Sequence, residues 1–233
     1  MDTSVNLIDA WMRSARPAET MRELRASGWL REHAPEIDRL YGIPQKAEHH
    51  PEIDVGIHIE LVLEVAAKLS PDPAVRYAAL VHDLGKALTS NWPSHFDHEG
   101  LGVEPGLALG ARLGVPEDWQ RLGALATKYH LRSHRVLGET ARHLVRFFRD
   151  AGFFENPQLL EPFLLVCEAD ARGRAGLQHR PYPQAQILSA AFKVAAPVEA
   201  IGNESDYHSE RIRRVAAILP SLSALAPASL PCD

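Results

Sequence analysis

The chain has 233 residues, enough for one sizeable core, and its 45% apolar and 24% charged content is that of an ordinary globular protein. A net charge of -5 excludes a protein that holds nucleic acid by overall charge, although a local basic stripe stays open. Two cysteines, Cys167 and Cys232, exclude a disulfide framework and a thiolate metal knuckle, and they fit a reducing cytoplasm.

From the N-terminus, MDTSVNLIDAWMRSARPAET carries early acids and no basic start before an apolar block, which argues against a signal peptide. Residues 1–16 read as an N-terminal extension. PAETMRELRASGWLREH then opens on Pro17 and spaces Met21, Leu24 and Trp29 as a helix face does. EIDVGIHIELVLEVAAKLS places Val55, Ile59, Val62, Ala66 and Leu69 at three- and four-residue steps, and SPDP stops it. PDPAVRYAALVHDLGKAL reads as one continuous helix, followed by EPGLALGARLG and PEDWQRLGALATKYH, the latter with Pro116 in its first turn. GETARHLVRFFRDAG ends at Gly152, and NPQLLEPFLLVCEADARG runs from Asn156 to Gly173 with a bend expected at Pro162. Two weaker helices, AQILSAAFKVA and DYHSERIRRVAAIL, precede a tail over 221–233 that reads as flexible. No alternating strand pattern, internal repeat or membrane-length apolar run appears. The expectation is an all-α fold of about eight helices in one domain over 17–220.

Twelve histidines are present, and six of them fall between His49 and His98. His58 shares a helix face with Val55, Ile59, Val62 and Val65. His82 follows Ala79, Ala78 and Val75 by three, four and seven residues, and Asp170 follows Cys167, Val166 and Phe163 in the same way. Three helices thus each set a metal-binding group in an apolar face, where an unpartnered polar group is costly. A divalent cation satisfies all of them. Two imidazoles and two carboxylates form a mixed nitrogen and oxygen shell suited to Mg, Mn, Fe, Co, Ni or Zn. Adjacent His82 and Asp83 share the ion at a helix end that Gly85 loosens, and Lys86, four residues after His82, faces an anion, most simply a phosphate.

The order His58, His82–Asp83, Asp170 resembles the HD phosphohydrolase superfamily. The segments YGIPQKAEHHPEIDVGIH, ALVHDLGKALT, WPSHFDHEG, KYHLRSH, CEADARGR and RPYPQ are similar to successive pieces of the C-terminal HD domain of bacterial CCA-adding tRNA nucleotidyltransferases, over about residues 16 to 218. That family's polymerase head is not present in this sequence, so CCA addition is not expected. The resemblance implies metal-dependent hydrolysis of phosphoesters near a nucleotide ribose, as 2′,3′-cyclic phosphodiesterase, 2′-nucleotidase or phosphatase, with a nucleotide or RNA end as substrate. It assigns His58, His82, Asp83 and Asp170 to the metal, with Asp83 taking a proton from water and Lys86 clamping phosphate. It also implies His98 as a phosphate or second-metal residue, and two-metal members of the superfamily extend this to His130 and His134.

Further candidates come from position alone. Arg172 and Arg174 follow Asp170 and offer forked donors to phosphate or cap a helix end. Asp54 lies one turn before His58, where it either orients the ring or caps the helix. His50 lines the cleft. A second reading is a non-catalytic module that docks on a polymerase or binds tRNA through Arg135, Arg142, Arg146 and Arg149, and a 5′-deoxynucleotidase is a further enzymatic alternative. Oligomeric state is left open.

Overall fold

The computed structural model describes residues 3–197 and 204–223. Among them the fold is all-α: there is no strand, and the only β-type pairing is an isolated antiparallel bridge between Pro44 and Asp54. The α-helices are α1 (Thr3–Arg13), α2 (Pro17–Ala26), α3 (Trp29–His33), α4 (Pro35–Asp38), α5 (Val55–Leu69), α6 (Pro73–Val81), α7 (His98–Arg112), α8 (Glu117–His134), α9 (Ala141–Asp150), α10 (Leu160–Arg172), α11 (Pro183–Ala195) and α12 (Glu204–Ser223). Leu84–Leu88 and Pro157–Leu159 are short 3-10 turns.

These twelve exceed the expected eight because α1 and α4 fall where no helix was expected and because three long readings break, the first of them into two α-helices. Gly28, with φ 84°, separates α2 from α3. The run over 71–88 is not one helix: α6 ends at Val81, Asp83 leaves the helical region at φ -110° and ψ 11°, and a 3-10 turn follows. The third break is Pro157–Leu159 before α10. Pro162 produces no break of its own. It sits in the first turn of α10, where its missing N–H would have had no partner in the helix.

The chain groups into two compact units, Met1–His130 with Leu165–Arg180, and Leu131–Leu164 with Pro181–Asp233. In the first, α5 packs against α2 and α6. All nine residues of α6 are buried, which explains an apolar run interrupted only by Arg76. Proper starts fix both helices: the Asp54 carboxylate accepts from the Ile57 N–H to open α5, and Asp72 accepts from Ala74 just ahead of Pro73. Residues read as an extension form α1, which buries Ile8, Trp11 and Met12 and packs against α6. There the buried Arg76 guanidinium donates to the carbonyls of Met12 (2.9 Å), Ser14 (2.7 Å) and Ser70 (3.2 Å).

The second unit is built on rings. Phe147, Phe148, Phe153 and Phe163 are buried and meet edge-on or tilted, with centroids 5.4 to 6.4 Å apart. Phe192 of α11 joins them, and the Arg211 guanidinium of α12 lies 3.4 Å from the Phe154 ring centroid. The expected tail over 221–233 lies almost wholly outside the described residues, α12 running to Ser223.

Candidate metal centre

Six side chains of the first unit converge: His58 from α5, His82 and Asp83 after α6, His98 from the start of α7, His130 from α8 and Asp170 from α10. All are buried. His58 Nε2 lies 3.0 Å from Asp170 Oδ1 and 3.7 Å from Asp83 Oδ2. His82 Nε2 lies 3.3 Å from Asp83 Oδ2 and 3.7 Å from Asp170 Oδ1. On its other side Asp83 turns Oδ1 toward His98 Nε2 (3.3 Å) and His130 Nε2 (3.6 Å).

Backbone carbonyls orient all four rings. His82 Nδ1 donates to Ala79 O (2.8 Å), His98 Nδ1 to His95 O (2.8 Å) and His130 Nδ1 to Ala126 O (3.0 Å), each about one turn back in its own chain. His58 Nδ1 lies 3.1 Å from the carbonyl of Gly173. That approach requires glycine, because a Cβ at position 173 would sit 2.6 Å from Val62 Cα. With every Nδ1 engaged, every Nε2 turns inward as a lone-pair donor.

Such an arrangement needs a positive centre. His82 Nε2 and Asp83 Oδ1 are buried without an aligned hydrogen bond, and bare imidazole nitrogens facing carboxylates repel unless a proton or a cation intervenes. Burial opposes charge on His82, yet Asp83 and Asp170 push its pKa up to about 10. Burial likewise opposes charge on Asp83, but the Lys86 ammonium and His82 hold its carboxyl well below the usual range. The clusters His58–His82–Asp83, His82–His130–Asp170 and Asp83–His98–His130 each bring ligand atoms close enough to hold a metal ion. Nitrogen and oxygen donors in this mixture suit a divalent transition ion.

Several sequence expectations are corrected. Lys86 Nζ lies 2.7 Å from Asp83 Oδ2 and donates to Gln45 Oε1 at 2.6 Å, so Asp83 itself is an anion that faces it. Gly85 does not loosen a helix end: a Cβ there would lie 1.9 Å from His98 O, so glycine admits the close approach of the 3-10 turn to α7. Asp54 does not orient His58. Its two oxygens accept from Ile57 N (3.0 Å) and Gly42 N (2.6 Å), which caps α5 and ties down the preceding loop.

His134 does not join His130 in the cluster. It belongs to the second unit, where its Nδ1 pairs with the Tyr182 hydroxyl at 2.9 Å. Arg172 is held within its own segment by Gln178 O (2.9 Å) and Glu168 Oε1 (2.5 Å). Arg174 is buried just beyond Gly173. The arginine stripe is partly neutralised, since Asp150 takes its Arg149 (3.0 Å) and Arg146 (3.5 Å), as well as Arg132 from outside it (3.2 Å).

His50 packs edge-on to His58, with centroids 4.7 Å apart. Burial pushes its pKa down to about 3 even though Glu52 accepts from it. Glu52 is the residue that sequence reading missed. Its Oε1 lies 3.0 Å from both His50 Nδ1 and His58 Nδ1, and its Oε2 accepts from Ala175 N at 3.1 Å. Burial opposes charge on Glu52, but His50 and His58 hold the carboxyl well below its usual range. The only available signal was a carboxylate six residues before His58 and outside any helix.

A model of the HD domain family matches residues 55–173, the stretch from the start of α5 to Gly173. The chain is 46% identical over 187 residues to the Multifunctional CCA protein of Methylococcus capsulatus, covering 79% of this chain and 44% of that protein. Similar matches are the Multifunctional CCA proteins of Nitrosococcus oceani (46% over 186 residues, 79% and 46%) and Xanthomonas euvesicatoria pv. vesicatoria (44% over 189 residues, 80% and 46%). The chain spans about half the length of the curated relatives it matches. No helix among the described residues is long and apolar enough to cross a membrane.

Proposed function

The chain belongs to the HD domain family of metal-dependent phosphohydrolases, and on that premise we propose that it hydrolyses nucleotide phosphoesters with a divalent cation held by His58, His82, Asp83 and Asp170. The observation that carries the reading is the inward convergence of four Nε2 atoms on two buried carboxylates, with His82 Nε2 and Asp83 Oδ1 left without aligned partners. The two faces of Asp83, one toward His58 and His82 and the other toward His98 and His130, support a second adjacent cation position. The two imidazoles suit Fe, Co, Ni or Zn, and the two carboxylates suit Mn or Mg as well.

A divalent ion supplies Lewis acidity toward phosphoryl oxygens and acidifies water. The protein's part is placement. Backbone carbonyls fix each imidazole tautomer, and Glu52 braces His58 from behind. Lys86 keeps Asp83 ionised, which suits that carboxylate to ligation more than to accepting a proton.

Similarity to Multifunctional CCA proteins supports substrates drawn from nucleotides and RNA ends: 2′,3′-cyclic phosphodiesters, 2′-phosphates and simple phosphomonoesters, with tRNA as a partner in the cytoplasm. The test is metal analysis of purified protein together with turnover of 2′,3′-cAMP, 2′-AMP, 3′-AMP and 5′-dAMP, for wild type and Asp83→Ala. Hydrolysis of the cyclic and 2′ esters, lost in the variant, is expected. Turnover of 5′-dAMP alone would select a 5′-deoxynucleotidase, and no turnover with metal bound would leave a binding module.

A further inference from the structure

Seven large apolar side chains stand exposed among the described residues, and all fall between Ile53 and Leu107, the stretch that also supplies His58, His82, Asp83 and His98. The two aromatic ones share a single loop. Phe96 is 72% exposed and Trp92 50% exposed. Isolated exposed apolar residues need no explanation, whereas two exposed aromatic rings on one loop call for one.

This loop is braced from within. The buried His95 ring pairs through Nδ1 with Thr89 Oγ1 (2.7 Å) and donates through Nε2 to the carbonyl of Pro44 (2.8 Å). His95 and Asp97 both adopt the left-handed region, at φ 51° and 63°, which side chains other than glycine seldom occupy. Phe96 is therefore presented outward between two fixed residues. The carbonyl of His95 also orients His98, whose Nε2 faces Asp83 at 3.3 Å. Only Asp97 separates Phe96 from His98, so their Cα atoms lie at most about 7 Å apart. The loop that exposes both rings thus also leads directly into His98, a ligand of the candidate metal centre.

We propose that Phe96 and Trp92 form the stacking surface for the nucleobase of the ester whose phosphate the cluster engages. The occupant is the base of a nucleoside phosphoester, either a free nucleotide or the last residue of an RNA. A flat aromatic π-face matches any base without reading its edges, so the surface selects nucleosides over base-free esters and discriminates little among the four bases. The inference rests on the phosphohydrolase reading above and adds to it the part of the substrate recognised beyond the phosphate.

The experiment compares kcat/KM of metal-loaded wild type, Phe96→Ala, Phe96→Tyr and Trp92→Ala on three esters: 2′,3′-cAMP, an oligonucleotide with a 2′,3′-cyclic end, and base-free ethylene phosphate. Phe96→Ala is expected to lose about tenfold or more on the nucleoside esters, with ethylene phosphate unchanged and Phe96→Tyr restoring most of the loss. A loss on the oligonucleotide alone supports stacking by an RNA end, and a loss on both supports stacking by any terminal nucleoside. In parallel, 2′-AMP should quench the tryptophan emission of chelator-treated wild type and not that of Trp92→Phe.

Equal slowing on all three esters would overturn the inference while leaving the hydrolase intact. So would altered self-association on sizing columns with unchanged selectivity, which would assign the surface to a second copy of the chain. If no ester is turned over at all, the hydrolase reading has failed, and the quenching experiment alone decides stacking.

Discussion

Replacing Gly85 by alanine tests how the HDLGK segment is held. The added methyl would lie 1.9 Å from the carbonyl oxygen of His98 and 2.7 Å from the amide nitrogen of Gly102, both backbone atoms that cannot rotate away. Ordinary contact begins near 3.4 Å, so the 3-10 turn and α7 must separate by about 1.5 Å, the difference between 3.4 and 1.9. Overpacking of this kind costs about 2–3 kcal/mol, or about 4–12 °C in Tm for a chain of this size. The same movement draws His98 away from Asp83, now 3.3 Å apart, because Asp83 immediately precedes the turn and His98 opens α7. Thermal melts with and without MnCl2, and calorimetric titration of Mn into chelator-treated protein, measure both effects. Lower stability and weaker metal binding together are expected in Gly85→Ala. A variant with wild-type Tm and wild-type Mn affinity would refute the close approach.

Three further outcomes follow from other contacts. Lys86→Met strands the buried Asp83 carboxylate and should cost about 3–5 kcal/mol in the chelated protein; Mn should restore more of this loss than it adds to wild type, read as urea midpoints. Glu52→Gln should weaken Mn binding about 10–100-fold by calorimetry, whereas unchanged affinity would reduce Glu52 to a loop staple. At Asp150, burial opposes charge, but Arg149 and Arg132 hold the carboxyl below its usual range. Its contribution to stability is therefore full above the unfolded pKa of about 4 and disappears as pH falls through the folded value. Asp150→Asn should be slightly less stable than wild type at pH 7 and converge with it in acid, measured as urea midpoints against pH.

The helical faces carrying His58, His82 and Asp170 are legible because a polar group at three- and four-residue spacing within an apolar stripe has one physical explanation. The all-α class is legible for the same reason. Glu52 is not, because its role depends on Ala175, more than a hundred residues away, and no local periodicity marks it. The Lys86–Asp83 contact is not legible either, because helical spacing does not carry through Asp83, where the backbone changes conformation and brings the lysine against that carboxylate. His134 has the spacing of a partner for His130, yet helix register fixes only direction, and the nearby Tyr182 hydroxyl decides what the ring meets. The grouping of residues 131–164 with 181–233 is likewise absent from local pattern, since it arises from rings brought together across long stretches of chain.

The bracing of the imidazoles by carbonyls has a consequence for how this centre tolerates change. A carbonyl belongs to every residue, so no single replacement can delete the acceptors at Ala79, His95, Ala126 or Gly173. Apart from His58, whose Nδ1 also lies 3.0 Å from Glu52 Oε1, the rings take their tautomers from the path of the main chain, and substitutions nearby act on them by shifting that path. Such a centre is robust to drift in its neighbours, and the loops around it are free to acquire new specificities while the ligands stay aimed.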